Sequence, residues 1–214
     1  DVPSDPTTAL SSSVEVRISL TNVNEAPVLP PPLSVDVDEN VAADVVVSSA
    51  GNILATDVDA DETLQYAIIG GNTGTAFKIN SDTGVLSTTG ASIDYETQDS
   101  YTIDLRVTDA GGLTSTSSIT ITVEDLNEAP VASNAARSVA ENLPRDTPVG
   151  AIIPAVDQDA GQTFQWTIDG DGLFGIGNDG GIFLLQPLNF EGDDSYTVTV
   201  TVRDQGGLPD SASV

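Results

Sequence analysis

Five short blocks of this sequence occur twice, in the same order and at nearly constant separation. Val23-Asn24-Glu25-Ala26-Pro27-Val28 returns as Leu126-Asn127-Glu128-Ala129-Pro130-Val131, 103 residues further on. Val37-Asp38-Glu39-Asn40 returns as Val139-Ala140-Glu141-Asn142, and Ala55-Thr56-Asp57-Val58-Asp59 as Ala155-Val156-Asp157-Gln158-Asp159. Asp94-Tyr95-Glu96 returns as Asn189-Phe190-Glu191, and Val107-Thr108-Asp109-Ala110-Gly111-Gly112-Leu113 as Val202-Arg203-Asp204-Gln205-Gly206-Gly207-Leu208, 95 residues further on. A period of about 100 residues is the size of a small domain, so the chain folds as tandem copies of one unit. The frame places the last strand and linker of a preceding repeat at 1–27, with Asp1 near the place of Asp109. A complete repeat follows at 28–129, then a second at 130–214 that lacks its last strand.

Within each unit the local period is two. Tyr101, Ile103, Leu105 and Val107 share one face while Thr102, Asp104, Arg106 and Thr108 share the other; Tyr196, Val198, Val200 and Val202 repeat the pattern. Such alternation belongs to strands with one buried face. Gly/Asn/Asp turns such as Gly70-Gly71-Asn72 and Asn80-Ser81-Asp82-Thr83-Gly84 interrupt it at short intervals, as in a β-sandwich. The expected fold is all-β: tandem seven-stranded Greek-key sandwiches of immunoglobulin-like type. Ala26-Pro27 and Ala129-Pro130 mark linkers, because proline stiffens the chain and biases its predecessor to extended conformations.

Composition removes whole classes of function. With no Cys and no His there is no disulfide framework, thiol nucleophile, imidazole shuttle or His-ligated metal. The 33 acidic residues against 6 basic ones give a net charge of -27, which opposes both nucleic acid and anionic lipid. No apolar run is long enough to span a membrane, so direct membrane contact is not expected. With 39% hydrophobic residues in strand alternation, the chain has the material of a core, and its acidity needs another cause than disorder. The acidic residues recur at fixed points of the period. Asp61, Glu62, Asp99, Asp193 and Asp194 fall outside that register and read as surface turns.

These blocks resemble the cadherin repeat, over nearly the whole chain. That family carries an early Glu-Asn, an Asp-x-Asp, an Asp-x-Glu, an Asp closing a later strand, and an Asp-x-Asn-Asp-Asn-Ala-Pro-type linker. The counterparts here are Glu39-Asn40, Asp57/Asp59, Asp94/Glu96, Asp109 and Asp125-Leu126-Asn127-Glu128-Ala129-Pro130. The Glu-Ala-Pro linker is similar to the cadherin-like repeats of large bacterial surface proteins.

The resemblance implies calcium between repeats. At the central junction the ligands would be Glu39, Asp94, Glu96, Asp125, Asn127 and Glu128, joined by Asp157, Asp159 and Asp204 of the second repeat and the carbonyls of Leu126 and Ala129. Calcium takes 6–8 oxygens, and these groups supply them. The eight carboxylates facing up to three Ca²⁺ would leave a small negative excess; without metal they repel one another. Asn22, Asn24, Glu25, Asp57, Asp59 and Asp109 would form a partial first junction, with Asn22 standing where Asp125 stands. Glu141 and Glu191, with Asn189 in place of Asp94, would form half a site at the far end. Affinities should lie in the range of extracellular modules, roughly 10⁻⁴–10⁻³ M.

The resulting expectation is no enzyme but a calcium-rigidified structural or adhesive repeat, extracellular and of bacterial type. An alternative is a calcium-dependent module that binds polysaccharide. Trp166, at the place of Tyr66, reads as a core aromatic rather than a sugar platform. The frame also suggests that residues 14–20 of one copy complete the second repeat of an identical subunit by strand addition, head to tail.

Overall fold

The computed structural model describes residues 13–47, 53–59, 63–170 and 172–214; Asp1, Asp61 and Glu62 lie outside the described residues. The first repeat contains β1 (Leu33–Asp38), β2 (Gln65–Gly70), β3 (Phe77–Ile79), β4 (Leu86–Thr88), β5 (Ser100–Thr108) and β6 (Thr114–Glu124). One sheet runs β1-β6-β5-β2, with β1 parallel to β6 and the other pairs antiparallel. The β3–β4 hairpin, extended by a bridge from Val46 to Ser87, covers its inner face. A 3₁₀ turn at Thr73–Thr75 is the one short helical element among the described residues. The architecture is the all-β sandwich that the alternation predicts.

That alternation sets the core. Along β5, Tyr101, Ile103, Leu105 and Val107 are buried while the residues between them face solvent. They meet Val35, Val37, Ile119, Ile121 and Val123 on the same face, and Val47, Phe77 and Leu86 across the sandwich. Each such side chain contributes about 1.5–3 kcal/mol by leaving water. Phe77 packs edge-on to Tyr101, with centroids 5.1 Å apart.

The second repeat builds the same core with less strand. It contains β7 (Val131–Ala132), β8 (Ala155–Val156), β9 (Gln165–Asp169), β10 (Phe174–Ile176), β11 (Ile182–Leu184), β12 (Thr199–Arg203) and β13 (Pro209–Ser213). Sheets β13-β12-β9 and β10-β11 enclose Val149, Ile153, Ile182, Leu184, Leu188, Val198 and Val200. Phe174 packs edge-on to Tyr196 in the position of the first repeat's aromatic pair. Trp166 is half-buried against this core, the role read for it in the sequence.

Two strand expectations change. The second repeat does have the first half of its last strand: β13 pairs with β12 from Ser213↔Thr199 to Pro209↔Arg203. Its sequence, Pro-Asp-Ser-Ala-Ser, offers a single apolar residue, Ala212, so alternation alone could not expose it. Conversely, Val14–Leu20 alternates strongly yet forms no strand; Ile18 and Leu20 are 81% and 94% exposed.

Two turns recur with the period. Asn40 and Asn142 have φ of 56° and 58°, and Asp44 and Asp146 have 66° and 65°. Asn and Asp tolerate this left-handed region better than other residues with a Cβ, which accounts for the Asn of the Glu-Asn block in conformational terms.

Candidate metal centre at the repeat junction

Glu39 leaves the end of β1 and is almost wholly buried, at 1% exposure. Its Oε2 accepts from the Tyr95 amide at 3.0 Å and its Oε1 from the Leu126 amide at 2.8 Å. One carboxylate thereby ties three segments: the β1 end, the loop before β5, and the linker. Charge-assisted bonds to two amides are what make a buried carboxylate tolerable.

Around it the junction collects acidic groups. One oxygen each from Glu39, Glu96 and Glu128 lies within 4.8 Å of the others, and the same holds for Glu96, Asp125 and Asp159. Glu96 belongs to both sets. From the second repeat, Asp159 Oδ2 accepts the Glu128 amide at 2.9 Å, and Asp157 Oδ1 accepts the Asp159 amide at 3.1 Å. Asp204, closing β12, accepts the Asn127 amide group at 2.6 Å and the Leu208 amide at 2.7 Å. The linker thus runs between two repeats and is hydrogen-bonded to both.

The close approach of like charges registers in their protonation. Burial, then Glu39, Asp159 and Glu96, push Glu128 up to about 7, against the pull of its bond from Asn40. Burial raises Asp125, with Asp159 and Glu39 adding to it. Glu96 rises for the same reason, first burial and then Glu39, Asp125 and Asp159. Asp157 also rises, through burial first, opposed by its bond from the Asp159 amide. Asp204 goes the other way: burial opposes it, but hydrogen bonds from Asn127, Leu208, Gly207 and Gly206 together hold it low. Glu128 Oε2, Asp157 Oδ2 and Asp57 Oδ2 are buried oxygens without a hydrogen-bond partner. An anionic oxygen left so is costly, and a hard cation is the ligand that satisfies it.

Not every predicted residue joins the cluster. Asp94 turns both oxygens on Thr97, taking its amide and its hydroxyl at 3.0 Å each, and stands outside the two close sets. The bond from the Thr97 amide, three residues on, is a local contact of the kind Asp makes at an N-cap, a signal readable beforehand. Asp157 and Asp204 stand outside the two close sets. Leu126 gives its amide to Glu39, and it and Ala129 sit within the linker that separates the repeats.

At the first junction the second-repeat half recurs nearly atom for atom. Asp59 Oδ2 accepts the Glu25 amide at 2.9 Å, Asn24 donates to Asp109 at 2.9 Å, and Asp57 accepts the Asp59 amide at 3.0 Å. Asn22 adds a bond of 2.6 Å to Asp59 Oδ1. At the far end Glu141 Oε2 accepts the Phe190 amide at 3.1 Å, as Glu39 does from Tyr95, but Glu141 and Glu191 are exposed.

Three contributors escaped sequence reasoning. Asn40 donates to Glu128 Oε1 at 2.6 Å, and Gln162 to Asn127 Oδ1 at 3.3 Å. Gly206 lets Asn127 press on its loop: a Cβ there would stand 2.6 Å from Asn127 Oδ1, and Gly111 has the same relation to Asn24.

Tandem β-sandwiches joined by an acid-lined linker are the class of protein that the fold and the site define. The first repeat belongs to the cadherin family: residues 33–124 match the cadherin domain. It is 31% identical over 220 residues to the Drosophila melanogaster protocadherin-like wing polarity protein stan, covering 95% of this chain and 6% of that protein. It is 32% identical over 208 residues to cadherin EGF LAG seven-pass G-type receptor 1 of Mus musculus, covering 92% of this chain and 7% of the relative. The chain therefore spans less than a tenth of the curated relatives it matches. Human protocadherin-24 EC1-2 superposes with a TM-score of 0.68 at 24% identity, covering 89% of this chain and 97% of that one. Mouse cadherin-23 EC22-24 superposes at 0.60 with 26% identity, over 88% of this chain and 62% of that one. Calcium binding is characteristic of this family.

Proposed function

We propose that this chain is a calcium-rigidified adhesive repeat of an extracellular surface protein or fibre. The observation that carries the reading is the central junction: two overlapping sets of three carboxylates sharing Glu96, with Glu128 Oε2 and Asp157 Oδ2 buried and unpartnered beside them. The donor set is all oxygen, which suits Ca²⁺. Glu39, Glu96, Glu128, Asp125 and Asp159 would hold it, with Asp94, Asp157, Asp204, Asn127 and the carbonyls of Leu126 and Ala129 as the outer candidates. When bound, calcium supplies positive charge and inner-sphere bonds between the repeats. The chain's own part is to bring ligands from two sandwiches onto one linker, so that closing the junction also aligns the domains. Asn22, Asn24, Glu25, Asp57, Asp59 and Asp109, and likewise Glu141 and Glu191, are half-sites of the same design.

Small-angle scattering with and without calcium, beside a calorimetric titration, tests this. The expected result is a longer, stiffer particle on calcium addition, with uptake in the range of roughly 10⁻⁴–10⁻³ M or tighter. An unchanged scattering profile at saturating calcium would overturn it. A bacterial source rests on the Glu-Ala-Pro linker alone, since the relatives named above are animal proteins.

A second part of the reading concerns assembly by strand addition to an identical subunit. Val214 exchanges two backbone bonds of 3.0 Å with Val198, the register Ile119 has with Ile103. Beyond it, residues 135–140 and 195–198 form no strand, and a groove of about 270 Å³ runs between them, lined by Val139, Val149, Phe174, Leu188 and Tyr196. Val16, Ile18 and Leu20 alternate with polar residues and are 73%, 81% and 94% exposed, so a second copy would offer them as the apolar edge that such an addition needs. Removing residues 1–22 should abolish association measured by light scattering; association that persists, or its absence from the intact chain, would refute strand donation. Polysaccharide binding gains no support, because Trp166 packs on the core.

A further inference from the structure

Resting on the calcium reading, we propose that Asn40 is a positioning residue that holds the linker's Glu128 so that it offers the metal one oxygen, Oε2. Asn40 Nδ2 donates to Glu128 Oε1 at 2.6 Å, across 88 residues of sequence. The other oxygen, Oε2, is buried without a partner, and Glu128 has an oxygen within 4.8 Å of one each from Glu39 and Glu96. The hydrogen bond therefore divides the carboxylate into a tethered oxygen and a free one. A Glu needs such a tether more than an Asp would, because its extra methylene adds a rotatable bond between backbone and ligand atom.

The residue type fits the task on two counts. Position 40 has φ of 56°, and its amide bonds the Ile93 carbonyl at 2.9 Å to close the turn. Glycine would satisfy that backbone but donate nothing. Aspartate would satisfy it but set an acceptor against Glu128 Oε1. Asparagine suits this φ and also supplies the donor. The backbone role recurs with the period: Asn142 has φ of 58° and bonds the Leu188 carbonyl at 3.0 Å.

The test compares calcium calorimetry of the intact chain with Asn40→Gly, Asn142→Gly, Glu128→Gln and the Asn40→Gly/Glu128→Gln double variant. Melting in chelator reports the folds separately. Loss of a group that orients a metal ligand typically costs about 10–100-fold in affinity; the exposed position here sets the expectation at about tenfold for Asn40→Gly. Asn142→Gly should leave affinity unchanged, and the double variant should bind no worse than Glu128→Gln alone, because Asn40 acts through Glu128. Equal affinities for Asn40→Gly and the intact chain would overturn the assignment, as would additive losses in the double variant. Calcium uptake by the intact chain with no Asn40 effect sinks this inference only; no uptake by the intact chain sinks the calcium reading and this inference with it.

Discussion

The two linkers of this molecule, 22–27 and 125–130, are near copies that have reached opposite electrostatic solutions. At the first, Asn22 donates to Asp59 at 2.6 Å and the Glu25 amide bonds its other oxygen, so the carboxylate is held below its usual range by neighbours already in place. At the second, Asp125 stands in the position of Asn22 and shares a close carboxylate set with Asp159 and Glu96. There burial and charge push Asp125, Glu96 and Glu128 up rather than down. The exchange of Asn22 for Asp125 is the sequence difference that goes with this contrast, while both junctions keep a buried aspartate oxygen without a partner, Asp57 Oδ2 and Asp157 Oδ2.

Exchanging the two residues is the strongest way to break this comparison. Asp125→Asn should place an amide beside Asp159, remove one charge from the Glu96 set, and lower calcium affinity at the central junction by about tenfold, as a lost ligand or ligand-orienting group does. The chelated form should in turn become more compact than the native chain in chelator. Asn22→Asp should do the reverse at the first junction, freeing Asp59 and loosening the metal-free linker. Calorimetry gives the affinities and scattering in chelator gives the shapes. If Asp125→Asn bound calcium as the native chain does, position 125 would not be what separates the junctions.

Acidity sharpens the contrast, because the shifts have opposite signs. Glu128 has a folded value of about 7 against 4.5 when free. Its closed form therefore binds the proton more tightly. It carries no charge penalty below about 4.5, and the penalty grows as pH rises toward 7. Asp125, Glu96 and Asp157 are raised as well and act in the same direction. Asp59 is lowered, so its contribution is present above its ordinary 3.8 and is lost as pH falls through its lower folded value. In chelator, raising pH from 5 to 8 should speed exchange of the Glu128 amide hydrogen beyond the intrinsic base catalysis, and leave the Glu25 amide on the intrinsic trend. With metal present, protons compete with calcium, so affinity should be lower at pH 6 than at pH 8. Amide exchange followed by NMR separates the two linkers directly.

How far this was legible before the coordinates depends on the range of each interaction. Strand β5 announced itself, because alternation and burial are the same fact seen along its nine residues. The resemblance to the cadherin repeat implied Glu39, Glu96, Asp125, Glu128 and Asp159 at one junction, and the structure brings them into two close sets that share Glu96. Asp94 did not follow, since a local turn with Thr97 competes for its oxygens at no cost in chain closure. Asn40 was overlooked for the opposite reason: its backbone role is local, but its side-chain partner is 88 residues away and belongs to the linker. Val14–Leu20 marks a further limit. Alternation tells which face of a strand wants burial, but not whether anything lies beside it, and here Leu20 remains 94% exposed.

The smallest effect that still discriminates the junctions comes from a glycine pair. A Cβ at Gly206 would stand 2.6 Å from Asn127 Oδ1, and one at Gly111 would stand 2.6 Å from Asn24. In both cases the obstructing group is the linker's asparagine, which bonds the buried Asp204 or Asp109 below it. Ala at either position displaces that amide and leaves an acceptor on a buried carboxylate unpaired, at about 1–3 kcal/mol. The consequences differ. At the first junction Asn22 still holds Asp59, so Gly111→Ala should lower the melting temperature and leave metal uptake at the central junction alone. At the central junction Asn127 is also braced by Gln162, and Gly206→Ala should move the linker, with Glu128 next in sequence, away from Glu39 and Glu96. Calcium affinity should fall several-fold for Gly206→Ala only. Equal losses from both variants would mean that the two linkers share one dependence on metal, and that the Asn22-for-Asp125 exchange is not what divides them.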